Sequence, residues 1–294
     1  MKTLAKARYV VVTPVRDEVA YIGKTVASMV QQTLRPLRWV VVDDGSTDGT
    51  GELLDECTAR FPWIEVVHRA NRGHRAAGGG VMDAFYAGFA RVEHEPWDFL
   101  VKLDGDLSFD PDYFQRCLDR FATEPTLGIA GGTVCALRGG CLHIDSVGDP
   151  PFHVRGATKI YRRQCWEQIA PLVHAPGWDT IDEIRANLHG WTTRTFADIG
   201  MLQHKPTGGA DGRWRDAYKN GLANYITGYH PLFMLAKVLR RATRRPYLVE
   251  SAALTSGYVS GYLRQVPRQA GVDAIRYLRD QQLRRIRLQH SIYG

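Results

Sequence analysis

Long apolar runs are missing from this sequence. No stretch reaches the ~18 consecutive apolar residues that a membrane-spanning helix requires, so we expect no such helix. The nearest candidate is PLFMLAKVL at 231–239, which two arginines follow directly. A segment of this length could lie in a membrane interface, with Phe233, Met234 and Leu235 inserted and the arginines at lipid phosphates. It could equally form a core helix with a basic end.

Cysteine is scarce and its spacing suits neither metal nor disulfide chemistry. The five cysteines are an odd number and no two have CxxC spacing, which disfavours a metal cluster and a disulfide framework. The N-terminal segment has no apolar signal-peptide core followed by a cleavage site of small residues. We therefore predict reduced thiols and a cytoplasmic location.

Two phosphate-binding signatures are also absent. No GxGxxG follows the first predicted strand, which disfavours a dinucleotide-binding Rossmann domain, and no GxxxxGK[ST] Walker loop occurs. A basic, glycine-rich stretch does occur at 71–80, where NRGHR precedes three consecutive glycines. Backbone N–H groups of such a loop could hold a phosphate.

Positive charge is concentrated at one end of the chain. The formal net charge is +7, but residues 210–294 contain 15 Lys and Arg against 5 Asp and Glu, a local charge of +10. The remaining 209 residues therefore carry −3. This split predicts an acidic-to-neutral catalytic domain at 1–208 and a basic, mainly helical C-terminal region at 209–294. The basic region is either a solvated set of helices or a surface for anionic lipid, nucleic acid or a phosphorylated substrate.

Strand-like and helix-like segments alternate in the first half of the sequence. Continuous runs rich in β-branched residues predict strands buried on both faces, and the segments between them have helical periodicity. This alternation predicts an α/β fold with a mostly parallel central sheet and flanking helices. Strands are predicted at 8–14, 37–44, 63–69, 97–104, 127–133, 156–161 and 191–196, and helices at 18–32, 48–61, 76–92, 111–122, 179–189 and beyond 208.

Acidic residues directly follow three of these strands. The DxD sequence Asp104-Gly105-Asp106 follows the fourth, and its carboxylates suit Mg²⁺ or Mn²⁺ beside a diphosphate, although the same residues also form ordinary turns. Asp43-Asp44 follows the second, where a carboxylate can accept hydrogen bonds from a nucleoside, although Ser46 or Asp48 could be a helix cap. TPVRDE at 13–18 ends the first. Because ligands bind beyond the carboxyl ends of parallel strands, we expect these clusters to share one edge of the sheet.

Two further segments have polar side chains of catalytic type. GWDTIDE at 177–183 begins a predicted helix. Its acids either interact with the positive end of the helix dipole or supply a general base in a cleft. His204 follows a strand-like segment and is either a structural histidine or a third metal ligand.

Together, TPVRDE, VVDDGSTDGT, LDGD, a tryptophan–aspartate helix start and a late histidine resemble glycosyltransferase family 2, which has the GT-A nucleotide-sugar fold. The resemblance covers about residues 8–215. It implies an inverting enzyme that moves a sugar from a nucleotide-diphosphate donor to an acceptor hydroxyl, with Mn²⁺ or Mg²⁺ as cofactor. It also implies a set of site residues: Asp179 as catalytic base; Thr13, Pro14, Asp17, Glu18, Asp43, Asp44, Arg75, Asp104 and Arg213 at the nucleotide sugar; Asp106, His204 and Asp104 at the metal.

The sequence departs from the family pattern at two places. Trp178 stands where the family usually has glutamate, so the catalytic base could instead be Asp182 or Glu183. ADGRW at 210–214 is similar to the QxxRW of processive synthases but has no glutamine. This difference, with the absence of spanning helices, disfavours a polymer-exporting enzyme.

The resemblance also implies partners. They are a nucleotide-diphosphate sugar, with UDP the expected nucleotide, and a saccharide or lipid-linked acceptor in polysaccharide or glycolipid assembly, but no nucleic acid. The basic C-terminal region adds an expected peripheral contact with the inner face of a membrane. Two alternatives stay open. One is a sugar-1-phosphate nucleotidyltransferase, although TPVRDE has no glycine; the other is a non-catalytic binding module, which Asp104, Asp106 and Asp179 disfavour.

Overall fold

The computed structural model describes residues 7–71, 73, 79–145, 148–205, 212–242 and 248–294. Within them the strands are β1 Tyr9–Val15, β2 Arg38–Asp43, β3 Ile64–His68, β4 Phe99–Leu103, β5 Leu107–Phe109, β6 Leu127–Arg138, β7 Cys141–Ile144, β8 Thr158–Arg162 and β9 Thr192–Gln203. The helices are α1 Ile22–Val30, α2 Thr50–Arg60, α3 Gly79–Phe89, α4 Tyr113–Thr123, α5 Arg163–Ile169, α6 Trp178–Leu188, α7 Gly212–Thr227, α8 Pro231–Ala242, α9 Val249–Leu263 and α10 Val272–Ile286.

The nine described strands form one sheet. Its order is β3-β2-β1-β4-β8-β6-β9-β5, and β7 pairs with β6 beside this path. The strands β3, β2, β1 and β4 are parallel. Beyond β4 the pairing is mixed, because β8 is antiparallel to both β4 and β6, whereas β6 and β9 are parallel. The predicted α/β class is confirmed, and the first four predicted strands form the continuous parallel part of the sheet.

Helices cover both faces of the sheet. Because successive residues of a strand point to opposite faces, Val11 of β1 packs with α1, α2 and α4, whereas Val10 and Val12 pack with α3, α5 and α6. Burial on both faces explains why β1 reads as a continuous valine run. A third apolar cluster joins Ile181 and Ile184 of α6 to the C-terminal helices. The basic region is therefore attached through α6.

Several predicted element ends shift in the structure. The helix predicted from residue 18 begins at Ile22, and the one predicted from residue 111 begins at Tyr113. The helix predicted from residue 76 is described from Gly79 onward, since 74–78 lie outside the described residues. These shifts leave the order of the predicted elements unchanged, whereas β5, β7 and α5 were not predicted.

Neither of the two alternative caps for α2, Ser46 or Asp48, is the N-cap of this helix. The Ser46 hydroxyl accepts a hydrogen bond from the backbone N–H of Asp17 (2.9 Å) instead of capping α2. The N-cap of α2 is Gly49, without a side-chain hydrogen bond. Asp48 still supports the helix start, because its Oδ1 accepts a hydrogen bond from the N–H of Thr50 (3.0 Å).

The apolar segment at 231–239 forms part of α8. Met234 is 3 % exposed within the third cluster, and the rings of Phe233 and Tyr293 are 4.9 Å apart. For Phe233 and Met234 the structure therefore favours the alternative of a core helix with a basic end, whereas Leu235 is 55 % exposed. Among the residues that the structure describes, no helix combines the length and the apolar character needed to cross a membrane.

Candidate nucleotide-sugar site

The loops after β1 and β2 form one hydrogen-bonded unit at the carboxyl edge of the parallel strands. The backbone N–H of Asp44 donates to the carbonyl of Val15 (2.9 Å). The N–H of Asp17 donates to Ser46 Oγ (2.9 Å), and the N–H of Thr47 donates to Asp17 Oδ1 (3.0 Å). The acidic residues of these two loops are therefore held in fixed positions relative to each other.

Asp43 and Asp44 are nearly buried, and each carboxylate has its own partners. Asp43 Oδ1 accepts a hydrogen bond from the backbone N–H of Ser46 (2.9 Å), and its Oδ2 lies 3.2 Å from His68 Nδ1. Asp44 Oδ1 accepts a hydrogen bond from Arg69 Nη1 (2.8 Å). The two acids therefore face β3 and the chain that follows it, and the basic stretch at 71–80 begins directly after Arg69 and one alanine.

Gly45 allows the turn after β2 to lie against the start of that basic stretch. Its φ is +75°, and a Cβ at this position would lie 2.4 Å from Asn71 Cα. Gly45→Ala would combine backbone strain with a collision, so we expect it to lower the free energy of unfolding by about 2–4 kcal/mol. Chemical denaturation monitored by circular dichroism measures this loss.

Gly23→Ala is the matched control. Gly23 lies in α1, and a Cβ there would meet nothing within 4 Å. Alanine is a better helix former than glycine by about 1 kcal/mol, so this variant should be as stable as the wild type or more stable. Equal stability of Gly45→Ala and wild type would contradict the close approach of Gly45 to Asn71.

The LDGD turn after β4 is fixed from three directions. The backbone N–H of Asp104 donates to the carbonyl of Ala157 (2.8 Å). The Thr25 hydroxyl donates to the carbonyl of Gly105 (2.9 Å). A Cβ on Gly105 would lie 2.5 Å from Val15 Cγ1. Glycine therefore lets this turn pack against the end of β1, as the predicted shared edge requires.

Asp104 and Asp106 have different electrostatic surroundings. The Lys102 ammonium forms an ion pair with Asp104 Oδ1. Asp106 is 5 % exposed, and its Oδ2 accepts a hydrogen bond from Gln203 Nε2 (3.1 Å). Burial, and then the charge of Asp104, raise the pKa of Asp106 to about 6. Because a neutral amide cannot compensate the charge of a carboxylate, an added cation would stabilise the charged form of Asp106.

A divalent cation fits the carboxylates of Asp104 and Asp106 better than it fits His204. Carboxylate oxygens are the ligands that Mg²⁺ prefers. The His204 ring lies with Nε2 2.7 Å from Ser108 Oγ and Nδ1 3.4 Å from Lys24 Nζ. Burial and the ammonium of Lys24 lower the pKa of His204. Across the described residues, no three His, Cys, Asp or Glu side chains are grouped to hold a metal ion.

The other predicted residues of the β1 loop have different surroundings. The Thr13 side chain is fully buried, and its hydroxyl accepts a hydrogen bond from Trp39 Nε1 (2.8 Å). Pro14 is buried one residue further along β1. The Glu18 side chain lies at the carboxyl edge of the parallel strands, where its Oε1 is 2.7 Å from Lys205 Nζ. Thr13 is therefore part of the core beneath the loop, whereas Glu18 is part of the candidate site.

The structure shows neither Arg213 nor Arg75, the two predicted basic residues, at the strand ends. Arg213 lies on α7 with its side chain 72 % exposed and its Nε 3.9 Å from Glu250 Oε1. It is thus joined to α9. Arg75 lies outside the described residues.

Asp179 is connected to the LDGD turn by a short chain of contacts. It lies in the first turn of α6 and is partly exposed. A Cβ on Gly156 would be 3.5 Å from Asp179 Oδ2, so the carboxylate lies beside this backbone. The Gly156 carbonyl accepts a hydrogen bond from Lys102 Nζ (2.5 Å), and Lys102 pairs with Asp104. The predicted base and the DxD turn therefore belong to one cluster.

Trp178, the residue that departs from the family pattern, packs against two buried ammonium groups. Lys102 Nζ and Lys159 Nζ lie 5.6 Å and 5.5 Å from its ring centroid. These are cation–π distances, and such contacts are stronger where the cation is desolvated. Gly156 permits the packing, since a Cβ there would be 3.0 Å from Trp178 Cζ2. The ring therefore helps to hold Lys102, and through it Asp104, in place.

The alternate base Asp182 is sealed inside the protein. The side chains of Asp182 and Glu183 are 0 % exposed, and both accept hydrogen bonds from Lys159 Nζ, at 2.7 Å and 2.8 Å. Glu183 Oε2 also lies 3.0 Å from His153 Nδ1. Burial raises the pKa of Asp182 to about 7, although Lys159 opposes the shift. An acceptor cannot reach these carboxylates, so Asp179 is the accessible acid of α6.

His153 should make the fold sensitive to alkaline pH. Burial lowers its pKa, but the Glu183 carboxylate outweighs this effect and raises the pKa to about 9. Since the unfolded value is about 6.5, the stabilisation is complete below about pH 6.5 and is lost as the pH rises through about 9. The contribution of His153 alone should be a loss on the order of 2 kcal/mol in unfolding free energy between pH 7 and about 9.5.

The comparison with His153→Gln isolates this effect. Burial lowers the pKa of Lys237 to about 8, which changes stability in the opposite sense in the same pH range. The wild-type loss minus the loss in the variant therefore reports the histidine alone. Urea denaturation over this pH range measures both. Identical slopes for the two proteins would show that His153 is neutral in the folded state.

Sequence reasoning missed three residues of this site. Lys102 and Lys159 lie inside apolar strands and are 3 % and 0 % exposed. A lysine within a buried strand requires a nearby carboxylate, so each was a signal of an ion pair. For Lys159 the sequence does not identify the partners, because Asp182 and Glu183 lie on a different element, α6. Gln203 carries no comparable signal.

Comparison with known proteins identifies a matching family model and similar sequences. The model of the family described as Glycosyl transferase family 2 matches residues 10–139. An undecaprenyl-phosphate mannosyltransferase of Micrococcus luteus is 36% identical over 84 residues, 29% of this chain and 32% of that protein. A polyprenol monophosphomannose synthase of Mycolicibacterium smegmatis is 37% identical over 101 residues, 32% of this chain and 36% of that protein. The chain spans about a third of the length of these relatives.

One solved structure extends the likeness beyond the matched segment. The mannosyltransferase PcManGT from Pyrobaculum calidifontis, in complex with GDP-Man and Mn2+, has a TM-score of 0.57 and 16% identity, over 94% of this chain and 79% of that one. At this identity the likeness concerns the fold, which is the GT-A type.

Proposed function

Because its residues 10–139 belong to glycosyltransferase family 2, we propose that the chain transfers a sugar from a nucleotide-diphosphate donor to an acceptor hydroxyl. The proposed outcome is inversion at the anomeric carbon. The main support is the cluster that joins Asp104 through Lys102 and Gly156 to Asp179. It puts an accessible carboxylate beside the turn that would bind the diphosphate.

The spacing of the strand ends suits a nucleoside diphosphate. The strands β2 and β4 are separated by β1, so their ends lie about 10 Å apart, two strand spacings. We place the nucleoside at Asp43 and Asp44 and the diphosphate at Asp104 and Asp106. UDP and GDP sugars are both suitable donors to test.

Each residue of the cluster has a proposed role in the reaction. Asp179 accepts the proton of the acceptor hydroxyl as its oxygen attacks the anomeric carbon. The bond from that carbon to the diphosphate breaks, and its electron pair leaves with the nucleoside diphosphate. Lys102 holds Asp104 in position. Asp104 and Asp106 would hold a Mn²⁺ or Mg²⁺ ion, which would supply positive charge to stabilise the departing diphosphate.

We further propose a lipid-linked saccharide as acceptor, in glycolipid or polysaccharide assembly at a membrane surface. The two relatives are named for polyprenyl lipids, which supports an acceptor that carries a lipid. The excess of basic residues beyond residue 210 is consistent with work beside anionic lipid.

An assay of the released nucleotide tests the function. UDP- and GDP-sugars are incubated with the protein, Mn²⁺ and a set of lipid-linked saccharides. We expect release of a nucleoside diphosphate that a suitable acceptor accelerates, and a product of inverted anomeric configuration by NMR. Pyrophosphate release would instead identify a nucleotidyltransferase. Donor binding without any release would identify a non-catalytic module.

A further inference from the structure

Helix α8 presents an exposed leucine face. Leu232, Leu235 and Leu239 are 56 %, 55 % and 61 % exposed. Their spacing of three and four residues puts them on one side of the helix. Met234 lies on the other side, in the third apolar cluster. These three side chains, here called the leucine face, are therefore not needed to pack α8 on the protein.

The end of α8 beside this face is positively charged. The helix has no acidic residue, and its last turn contains Arg240 and Arg241. Arg241 Nε lies 2.9 Å from Glu250 Oε2, and Arg213 Nε lies 3.9 Å from Glu250 Oε1. Two guanidinium groups thus share one carboxylate. The net charge here stays positive. Arg241 is seven residues after Met234 and so lies on that side of the helix, which puts this charge at the end of α8 and not on the leucine face itself.

Further exposed apolar residues lie at the same end of the helices. Arg213 and Glu250 stand near the starts of α7 and α9, so their contact brings both helix starts to the end of α8. Trp214 at the start of α7 is 49 % exposed, and Leu248 and Val249 at the start of α9 are 66 % and 43 % exposed. An exposed tryptophan beside arginines and aliphatic side chains is typical of a membrane interface.

We propose that the leucine face docks on an anionic lipid bilayer, with α8 in the plane of the interface. Its three leucines enter the acyl boundary, and the basic end of α8, with the exposed Arg213 beside it, meets the headgroup phosphates. A protein partner would also cover leucines, but the adjoining positive cluster matches the negative surface potential of a membrane. A helix of 12 residues is about 18 Å long, enough to lie along the interface but not to cross it.

The start of α7, which adjoins the basic end of α8, lies close to the candidate site along the chain. Lys205 pairs with Glu18 at the site, and α7 begins at Gly212. Seven residue steps separate the two, which span at most about 25 Å. This inference deepens the proposed function, because it identifies the surface from which a lipid-linked acceptor would be presented.

Vesicle flotation tests the proposal. The full chain is floated with vesicles of phosphatidylcholine alone and with vesicles that also contain phosphatidylglycerol. We expect flotation with the anionic vesicles and a loss of about tenfold or more in their affinity for Leu235→Gln/Leu239→Gln. The control is Leu142→Gln, since Leu142 of β7 is 65 % exposed outside the helices. It should float like the wild type.

Three outcomes would overturn the proposal. They are no flotation with anionic vesicles, equal flotation of the double variant, and a concentration-dependent dimer in sedimentation that the double variant abolishes. The thermal shift caused by nucleotide sugar is measured on the same proteins. It should be unchanged in the double variant, so a failure of docking is distinguishable from a failure of the proposed donor site.

Discussion

Replacing Asp179 by asparagine should lower the rate of sugar transfer by about 10²–10⁴-fold, the usual contribution of a general base. The amide cannot accept the proton of the acceptor hydroxyl. The substitution keeps the shape of the side chain and leaves the Asp179 backbone carbonyl, which accepts a hydrogen bond from Lys159, in place. Donor binding should therefore change little, and the loss should appear in kcat. Initial rates of nucleoside diphosphate release measure the effect.

Asp112→Asn is the matched control for this variant. Asp112 is an exposed acid at the N-cap of α4 and makes no side-chain capping hydrogen bond, so its removal should leave the rate unchanged. An Asp179→Asn variant with full transfer activity would exclude Asp179 as the base. The burial of Asp182 and Glu183 would then leave no accessible acid on the described part of α6 to replace it.

Replacing Lys159 by methionine should destabilise the fold by about 3–5 kcal/mol, the usual cost of removing one partner of a buried ion pair. The side chains of Lys159, Asp182 and Glu183 are all 0 % exposed. Burial alone would lower the pKa of Lys159, but the carboxylates of Asp182 and Glu183 raise it. Without the ammonium group, two acids remain in the interior. Urea denaturation at neutral pH measures the loss.

A second variant distinguishes charge from packing. Lys159→Met/Asp182→Asn removes one of the two uncompensated acids and should recover part of the stability. Lys219→Met, on the exposed side of α7, should change the free energy of unfolding by no more than about 0.5 kcal/mol. If Lys159→Met were as stable as this surface variant, the buried ion-pair network would be refuted.

The parallel half of the sheet could be predicted because its information is local. β1, β2 and β4 are runs rich in valine or other apolar residues, buried on both faces, and each ends in a polar turn. The antiparallel pairing of β8 with β4 and β6 depends on contacts between segments far apart in the sequence. Nothing in the strand-like stretch at 156–161 shows which neighbour it will have.

The candidate site shows the same division between local and distant information. The positions of Asp43, Asp44, Asp104 and Asp106 follow from strands that end at one edge. The environment of His204 could not be predicted in this way, because its neighbours Lys24 and Ser108 lie on α1 and β5, far from it in the sequence. Likewise, Asp179 and Asp182 are both aspartates on α6, so the sequence of the helix does not distinguish them. Only the contact of Asp182 with Lys159 of β8 shows that Asp182 is the buried one.

The most direct test of the strand-end site is the melting temperature of wild type and Asp106→Asn with nucleotide sugar and Mn²⁺. A ligand that binds the folded state raises the melting temperature by mass action. We predict a rise for the wild type with at least one UDP- or GDP-sugar, larger with Mn²⁺ than without it, and a much smaller rise for Asp106→Asn. Equal rises in the two proteins, or none with any of these sugars, would contradict a nucleotide-sugar site at these strand ends.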